Sequence, residues 1–404
     1  MRDGETFRGR EMFSMIKSEA ERELDFAVSL RRWFHSHPEL SRSETGTQAR
    51  IIEELSKIGI KCEKIAETGV ICAVSGAKKG KTIVLRADID ALPIEEKSDK
   101  PYRSQSPGRM HACGHDVHAA SLVTALKILF HHKEELCGTV VAVFQPGEED
   151  GYGGVLCAAD ERVKRADRVF GLHVAPDLPA GTVAAVSGPV MASVDMYRIE
   201  VTGRQSHISQ PQNGVDAALI AAEILISLKN IPSGLSDPRE SVLVGIGSIH
   251  AGTSYNIIAG SAYLDGTIRA FNEAERTRAK ENLEKIARLT AEKYGGEAKV
   301  VYDGPSPAVI NDEGVTDDVC RVARELFGAE RVVTEREKSY GGDDFSFFQQ
   351  VAPGTYALVG SSDKSRPETC VPVHNERFDV DESALVTGAA LYAAVAMDYL
   401  RQGC

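Results

Sequence analysis

Between residues 11 and 35, Met12, Phe13, Ile16, Leu24, Val28, Leu30, Trp33 and Phe34 alternate with charges at near-helical spacing, and the run breaks near Pro38. One amphipathic helix is predicted, with His35 and His37 at its end, where partly solvated histidines are common. Thr45 to Leu55 reads as a second helix. Val70 to Ser75 is strand-like; after the turn Lys78-Lys79-Gly80-Lys81, Thr82 to Ala87 is an apolar run of the type buried on both faces. Ala119 to Phe130 has helical period, Gly138 to Phe144 is β-branched and apolar, Gly154 to Val163 reads as a helix and Asp167 to Leu172 as a short strand.

The pattern then becomes self-contained between two hinge-like turns, Ser187-Gly188-Pro189 and Asp303-Gly304-Pro305-Ser306-Pro307. Strand Asp195 to Val201, helix Val215 to Leu228, strands Val242 to Ile249 and Ala262 to Ala270, helix Glu273 to Tyr294 and strand Ala298 to Val301 follow. That order, β-α-β-β-α-β, is the ferredoxin-like arrangement. Afterwards α/β character resumes with a helix from about Asp317 to Phe327, the turn Gly341-Gly342-Asp343-Asp344, a short helix, strand Thr355 to Val359, and a closing helix from about Glu382 to Arg401. The predicted architecture is α/β, a main domain with a central mixed sheet in two parts, 1–187 and 304–404, interrupted by an inserted domain at 188–303. The inserted domain's sheet edge or helices could carry a dimer contact.

At 404 residues the chain exceeds one ordinary core, which agrees with that division. A net charge of -12 argues against nucleic acid and anionic membrane as partners and favours a small molecule. The first thirty residues hold no apolar run of a signal peptide or membrane span, and the expectation is a cytoplasmic protein. Eight cysteines without a disulfide framework suggest reduced thiols, seven of them small buried apolar groups and Cys113 a ligand.

Cys113 belongs to the stretch His111-Ala112-Cys113-Gly114-His115-Asp116. Cys113 and His115, two apart, cannot share a helix face, and Gly114 lets the backbone turn sharply enough to aim both inward. A thiolate with an imidazole suits zinc, cobalt, nickel or manganese. Three predicted strands end on Asp88 and Asp90, on Glu148 and Glu149, and on His173; in an open α/β sheet that edge binds ligands. His118, one turn after His115, reads as a packing or supporting residue, and His131-His132 as complements to a helix C-terminus.

Cys113, His115, Glu149, His173 and His374 exceed what one tetrahedral catalytic zinc needs, so two divalent ions per subunit are expected. Such a pair can acidify a water and stabilise the oxyanion formed when it attacks a carbonyl. Glu148, beside a ligand yet pointing away, is placed to take the water's proton and pass it to a departing amine. A closed structural zinc site is the competing account, but such sites are cysteine-rich. There is no Gly-x-Ser-x-Gly elbow, P-loop or dinucleotide fingerprint.

The motifs RRWFHSHPEL, RADIDALP, MHACGHD, FQPGEE, GLHV, GGDDF and HNERFD, in that order, resemble the zinc aminoacylase and carboxypeptidase family. The likeness is to its amidohydrolase branch of hippurate hydrolases, N-acyl-amino-acid amidohydrolases and plant auxin-conjugate hydrolases. It implies two metals on Cys113, His115, Glu149, His173 and His374, Glu148 as general base and acid, and the inserted domain as a dimerisation lid, with pairing into tetramers left open. It also implies that Asp90 orients a ligand histidine, that His207 reaches the partner subunit's active site to help hold the oxyanion, and that Asn256 and Arg269 contact substrate. The implied reaction is hydrolysis of an N-acyl amino acid, acetyl, benzoyl or aryl-acyl, to a carboxylic acid and a free amino acid. A dipeptidase or an N-acetyl-diaminopimelate deacetylase is the nearest rival, and a non-catalytic binding protein the rival from another class.

Overall fold

The computed structural model describes residues 2–237 and 239–401, with side chains from residue 11 onward. The chain forms two compact units, one of residues 1–188, 310–337 and 344–404, the other of 189–309 and 338–343. The second unit therefore runs six residues past the predicted boundary at 303 and takes in the Gly341-Gly342-Asp343 turn.

In the first unit, α1 (Arg2–Arg22), α2 (Leu24–Ser36) and α3 (Thr45–Lys57) precede the hairpin β1 (Cys62–Ile65) and β2 (Gly69–Ser75). Then come β3 (Lys78–Asp88), α4 (His115–His131), β4 (Cys137–Gln145), α5 (Gly153–Ala158), β5 (Arg168–Pro179) and β6 (Val183–Ala184). The single helix predicted over 11–35 is thus two. The helix predicted from Gly154 to Val163 stops at Ala158, and the predicted turn at Lys78 already belongs to β3.

The passages between units hold β7 (Gly188–Met191) and β12 (Val309–Asn311). Between them lie β8 (Val194–Thr202), α6 (Ala217–Leu228), β9 (Val242–Ala251), β10 (Ser261–Ala270), α7 (Glu273–Lys293) and β11 (Glu297–Ser306). Back in the first unit are α8 (Glu313–Phe327), β13 (Val332–Val333), α9 (Ser346–Gln349), β14 (Gly354–Ser362) and α10 (Ala384–Arg401).

The first unit's sheet runs β1-β2-β4-β3-β5-β14-β6-β13. Its centre is parallel, β4 with β3, β3 with β5 and β5 with β14, and β1-β2 and β2-β4 are antiparallel. In β3 every residue from Ile83 to Asp88 is buried, so both faces of that strand are covered, which explains its unbroken apolar run. Helix α4 is apolar on nearly all sides because it is enclosed, packing on β3 and β5 and against α2 and α10.

The second unit's sheet has the order β11-β8-β10-β9, all antiparallel, the ferredoxin-like order predicted from the alternation of elements. Along β8, Tyr197, Ile199 and Val201 turn inward onto Ile220 of α6 and Leu283 of α7, and Met196, Arg198 and Glu200 turn outward. The Asp303-Gly304-Pro305 stretch read as a hinge instead continues β11, with a register break between Asp303 and Ser306.

The cysteine expectation holds only in part. Cys72, Cys157 and Cys320 are buried free thiols, but Cys62 is half-buried, Cys370 is exposed and Cys137 is disulfide-bonded. Cys404 lies outside the described residues.

Candidate metal centre

The site forms at the carboxyl ends of β3 and β4 and within β5, where the strands deliver polar side chains to one edge. Gly114 makes the loop before α4 possible. Its φ of 89° lies in the left-handed region, and a Cβ there would stand 2.4 Å from Val174 Cγ2, so only glycine fits. The residues either side of it, Cys113 and His115, both turn inward and are buried. Gly147 (φ 61°) turns the chain after β4, and its N–H is held by Glu44 Oε1 at 2.9 Å, which sets Glu148 and Glu149.

Ligand-capable atoms gather in groups whose members all lie within 4.8 Å of one another. One group is Cys113, His115 and His173; another is Cys113, Glu149 and His374. The two share the Cys113 sulfur. Cys113 Sγ is 3.3 Å from His173 Nε2, and His374 Nε2 is 3.3 Å from Glu149 Oε1. Glu148 lies beside them, its Oε2 3.9 Å from His115 Nε2. All six residues predicted from separate segments therefore converge.

In His115 and His173 the Nδ1 atom is tied to a backbone oxygen, which aims Nε2 into the site. His115 Nδ1 donates to the Asp90 carbonyl at 2.9 Å and to Asp90 Oδ1 at 3.1 Å, and His173 Nδ1 donates to the Val174 carbonyl at 2.8 Å. His115 Nε2 is buried and has no hydrogen-bond partner among the described residues. A buried orphan nitrogen aimed at a thiol and two carboxylates is what a divalent cation would satisfy. Asp90 also accepts from Glu149 N–H at 3.0 Å and Ser41 Oγ at 2.7 Å, so one carboxylate fixes the segments of two candidate ligands, His115 and Glu149.

The electrostatics of these side chains agree. Burial pushes the Cys113 thiol well above its usual range, so a neighbouring cation would be needed to hold the thiolate. Burial would lower the His115 pKa, yet the Asp88 charge and the hydrogen bond to Asp90 outweigh it and hold that ring well above its ordinary value; a bound cation would replace that proton. Burial pulls His173 down to about 3, which keeps it neutral and ligand-ready.

Two expectations need correction. His173 sits inside β5 rather than beyond its end, because the strand continues to Pro179. His35, read as partly solvated, is completely buried. As anticipated, His118 is a supporting residue: Nε2 accepts from Val174 N–H at 2.9 Å and Nδ1 is bonded to Asp88. A buried tie not foreseen links Arg86 to Gln145, Asp88 and Asp344, with Asp344 also accepting from Gly154 N–H.

Residues 84–398 match the model of peptidase family M20/M25/M40. The chain belongs to that family. It is 35% identical over 395 residues to thermostable carboxypeptidase 1 of Saccharolobus solfataricus, covering 96% of this chain and 99% of that one. It is also 35% identical over 381 residues to IAA-amino acid hydrolase ILR1-like 4 of Arabidopsis thaliana (93% and 86%). N-acetyl-L-cysteine deacetylase of Bacillus subtilis is 34% identical over 360 residues (89% and 84%). Among solved structures, the YXEP protein of Bacillus subtilis, described as a dinuclear metal-binding peptidase of the M20 family, superposes with a TM-score of 0.81 at 32% identity, covering 94% of this chain and 99% of that one. This M20/M25/M40 member is a metal-dependent amidohydrolase, and its donor set fits two metal ions.

In the second unit the structure places His207 at the surface, Nδ1 2.7 Å from Ser209 Oγ, with a bridge from His207 to Ile257 bringing it beside the Asn256 segment. Arg269 lies on β10, half-buried, its Nε donating to Thr267 Oγ1 at 3.1 Å. Among the described residues no helix is long and apolar enough to cross a membrane.

Proposed function

We propose that the protein hydrolyses the amide bond of N-acyl amino acids, releasing a carboxylic acid and a free amino acid, with two ions drawn from zinc, manganese, cobalt and nickel. The observation that carries this reading is the pair of donor groups sharing Cys113, with the Glu148 carboxylate 3.9 Å from the unpartnered His115 nitrogen. Cys113, His115 and His173 would hold one ion, and Cys113, Glu149 and His374 the other. The ions supply a Lewis acid for the substrate carbonyl and an acidified water.

Glu148 takes the proton from the attacking water and later gives it to the departing amine. Asp90 keeps His115 in the tautomer that presents Nε2. His207 is assigned to the developing oxyanion in the partner subunit's site, and Asn256 and Arg269 to the substrate, on the strength of the family motifs. Arg269 is a cation suited to an anionic substrate in an acidic protein. The second unit is assigned the homodimer contact, which light scattering of the purified chain reads directly: a single-chain mass contradicts it. Among the described residues six of seven cysteines are free thiols, Cys137 being the exception, and the compartment is assigned as the cytoplasm on that majority.

The test is Glu148→Gln. The variant should keep two ions per subunit and lose turnover of acetyl, benzoyl and indoleacetyl amino acids by about 10²–10⁴-fold. Near-normal turnover removes Glu148 from the mechanism.

A further inference from the structure

Ala27, Leu30, Arg31, Phe34 and His35 of α2 are buried, a stripe at helical spacing in which Arg31 and His35 are polar. Arg31 is completely buried. Its Nε donates to Asp116 Oδ2 at 2.7 Å, its Nη2 to Asp379 Oδ1 at 3.2 Å and its Nη1 to Glu382 Oε1 at 3.3 Å. Asp116 directly follows the ligand candidate His115, and Asp379 belongs to the HNERFD segment that begins at His374. One guanidinium thus grips both segments from behind.

We propose that Arg31 is a positioning residue that fixes the His115 and His374 segments at the mutual spacing two ions require. The inference rests on the reading that those histidines are ligands. Helix α2 itself contributes none of the donors of the site, yet Arg31 reaches segments 85 and 348 residues away in the chain.

The surroundings show why a tether matters. His374 is half-exposed and adopts a φ of 63°, a left-handed conformation uncommon in a non-glycine residue. On the side facing the site, the His374 N–H donates to the Ala112 carbonyl at 2.7 Å. On the far side the restraint is Arg31 on Asp379, joined by Lys100, whose Nζ is 2.9 Å from Asp379 Oδ1 and donates to the Phe378 carbonyl at 3.0 Å.

At the other end, Asp116 Oδ2 is shared with His35 Nδ1 at 2.8 Å, and His35 Nε2 faces Glu96 at 3.3 Å. The planar guanidinium offers donors in three fixed directions, which an ammonium cannot reproduce.

The test compares the wild-type holoenzyme with Arg31→Lys and with Asp379→Asn, which leaves the guanidinium on Asp116 and Glu382. Three things are measured: ion release to a chelator, the visible spectrum of the cobalt-loaded enzyme, and kcat separately from KM. Arg31→Lys should release at least one ion about 10–100-fold faster, alter the cobalt spectrum and lower kcat, with KM nearly unchanged and kcat partly restored by excess metal. Asp379→Asn should show the same direction with a smaller change.

Wild-type release and spectrum in a folded Arg31→Lys variant overturn the proposal. Should that variant fail to fold, the same result in Asp379→Asn overturns it. Failure of the underlying reading looks different: the wild-type protein itself would then hold fewer than two ions.

Discussion

Asp90 is the residue whose replacement separates metal retention from folding most cleanly. Its carboxylate is completely enclosed and accepts three donors: His115 Nδ1–H, the Glu149 N–H and the Ser41 hydroxyl. Asp90→Asn keeps the shape, but an amide accepts through one oxygen and brings two donors of its own. Either His115 or Glu149 is then left facing an N–H. An unsatisfied buried donor costs about 1–3 kcal/mol. Because both donors belong to ligand segments, much of that cost falls on ion binding, where loss of such an orienting partner typically lowers affinity about 10–100-fold, equivalent to about 1.4–2.7 kcal/mol.

Thermal unfolding of the metal-stripped proteins reads the structural part. Chelator competition on the loaded proteins reads the rest. The reasoning predicts a modest loss of stability in the stripped variant, a loss of ion affinity of tenfold or more, and turnover recovering as metal is added. An Asp90→Asn enzyme that retains both ions as tightly as the wild type refutes it.

Three further outcomes are expected. Gly114→Ala combines a left-handed φ, about 1–2 kcal/mol, with overpacking against Val174, about 1–3 kcal/mol; Gly114→Ala/Val174→Ala should recover only the second part in an unfolding measurement. Burial would raise the Glu96 pKa, but His35 and the Ser104 N–H outweigh it and bring it from 4.5 down to about 2. A depressed carboxylate stabilises above its unfolded pKa and ceases to do so as pH falls through its folded one, so that share of stability should be complete above pH 4.5 and vanish towards pH 2. Acid unfolding of Glu96→Gln should lack that slope, and an unchanged slope contradicts the assignment. Finally, Cys113→Ser should lower the affinity for both ions together, whereas His173→Ala should affect mainly one; parallel losses in the two variants contradict a shared sulfur.

Much of the site is legible in the chain because a buried parallel strand leaves an unbroken apolar run, and a carboxylate right after it has to sit at the sheet edge. Asp88 as the last residue of β3 and Asp90 just past it, and Glu148 and Glu149 after β4, follow that rule. His173 departs from it because Pro176 and Pro179 conceal the continuation of β5, which pairs with β14 as far as Pro179 across a register break.

Arg31 and His35 escape a reading by hydropathy, since buried polar residues count as solvent-facing until their partners are known. Their periodicity was the available signal: both fall on the same inward stripe as Ala27, Leu30 and Phe34. The partners, Asp116, Glu96 and Asp379, come from three distant segments that no local pattern connects. The ferredoxin-like order of the second unit is legible because its alternating strands are solvated on one face, as the burial of β8 shows.

The most direct test of the whole account is anomalous diffraction from crystals of the protein grown with manganese or zinc. Two ions per subunit, both bonded to Cys113 Sγ, one also to His115 and His173 and the other to Glu149 and His374, is the predicted result. A single ion, or two ions that leave Cys113 unbonded, would contradict it.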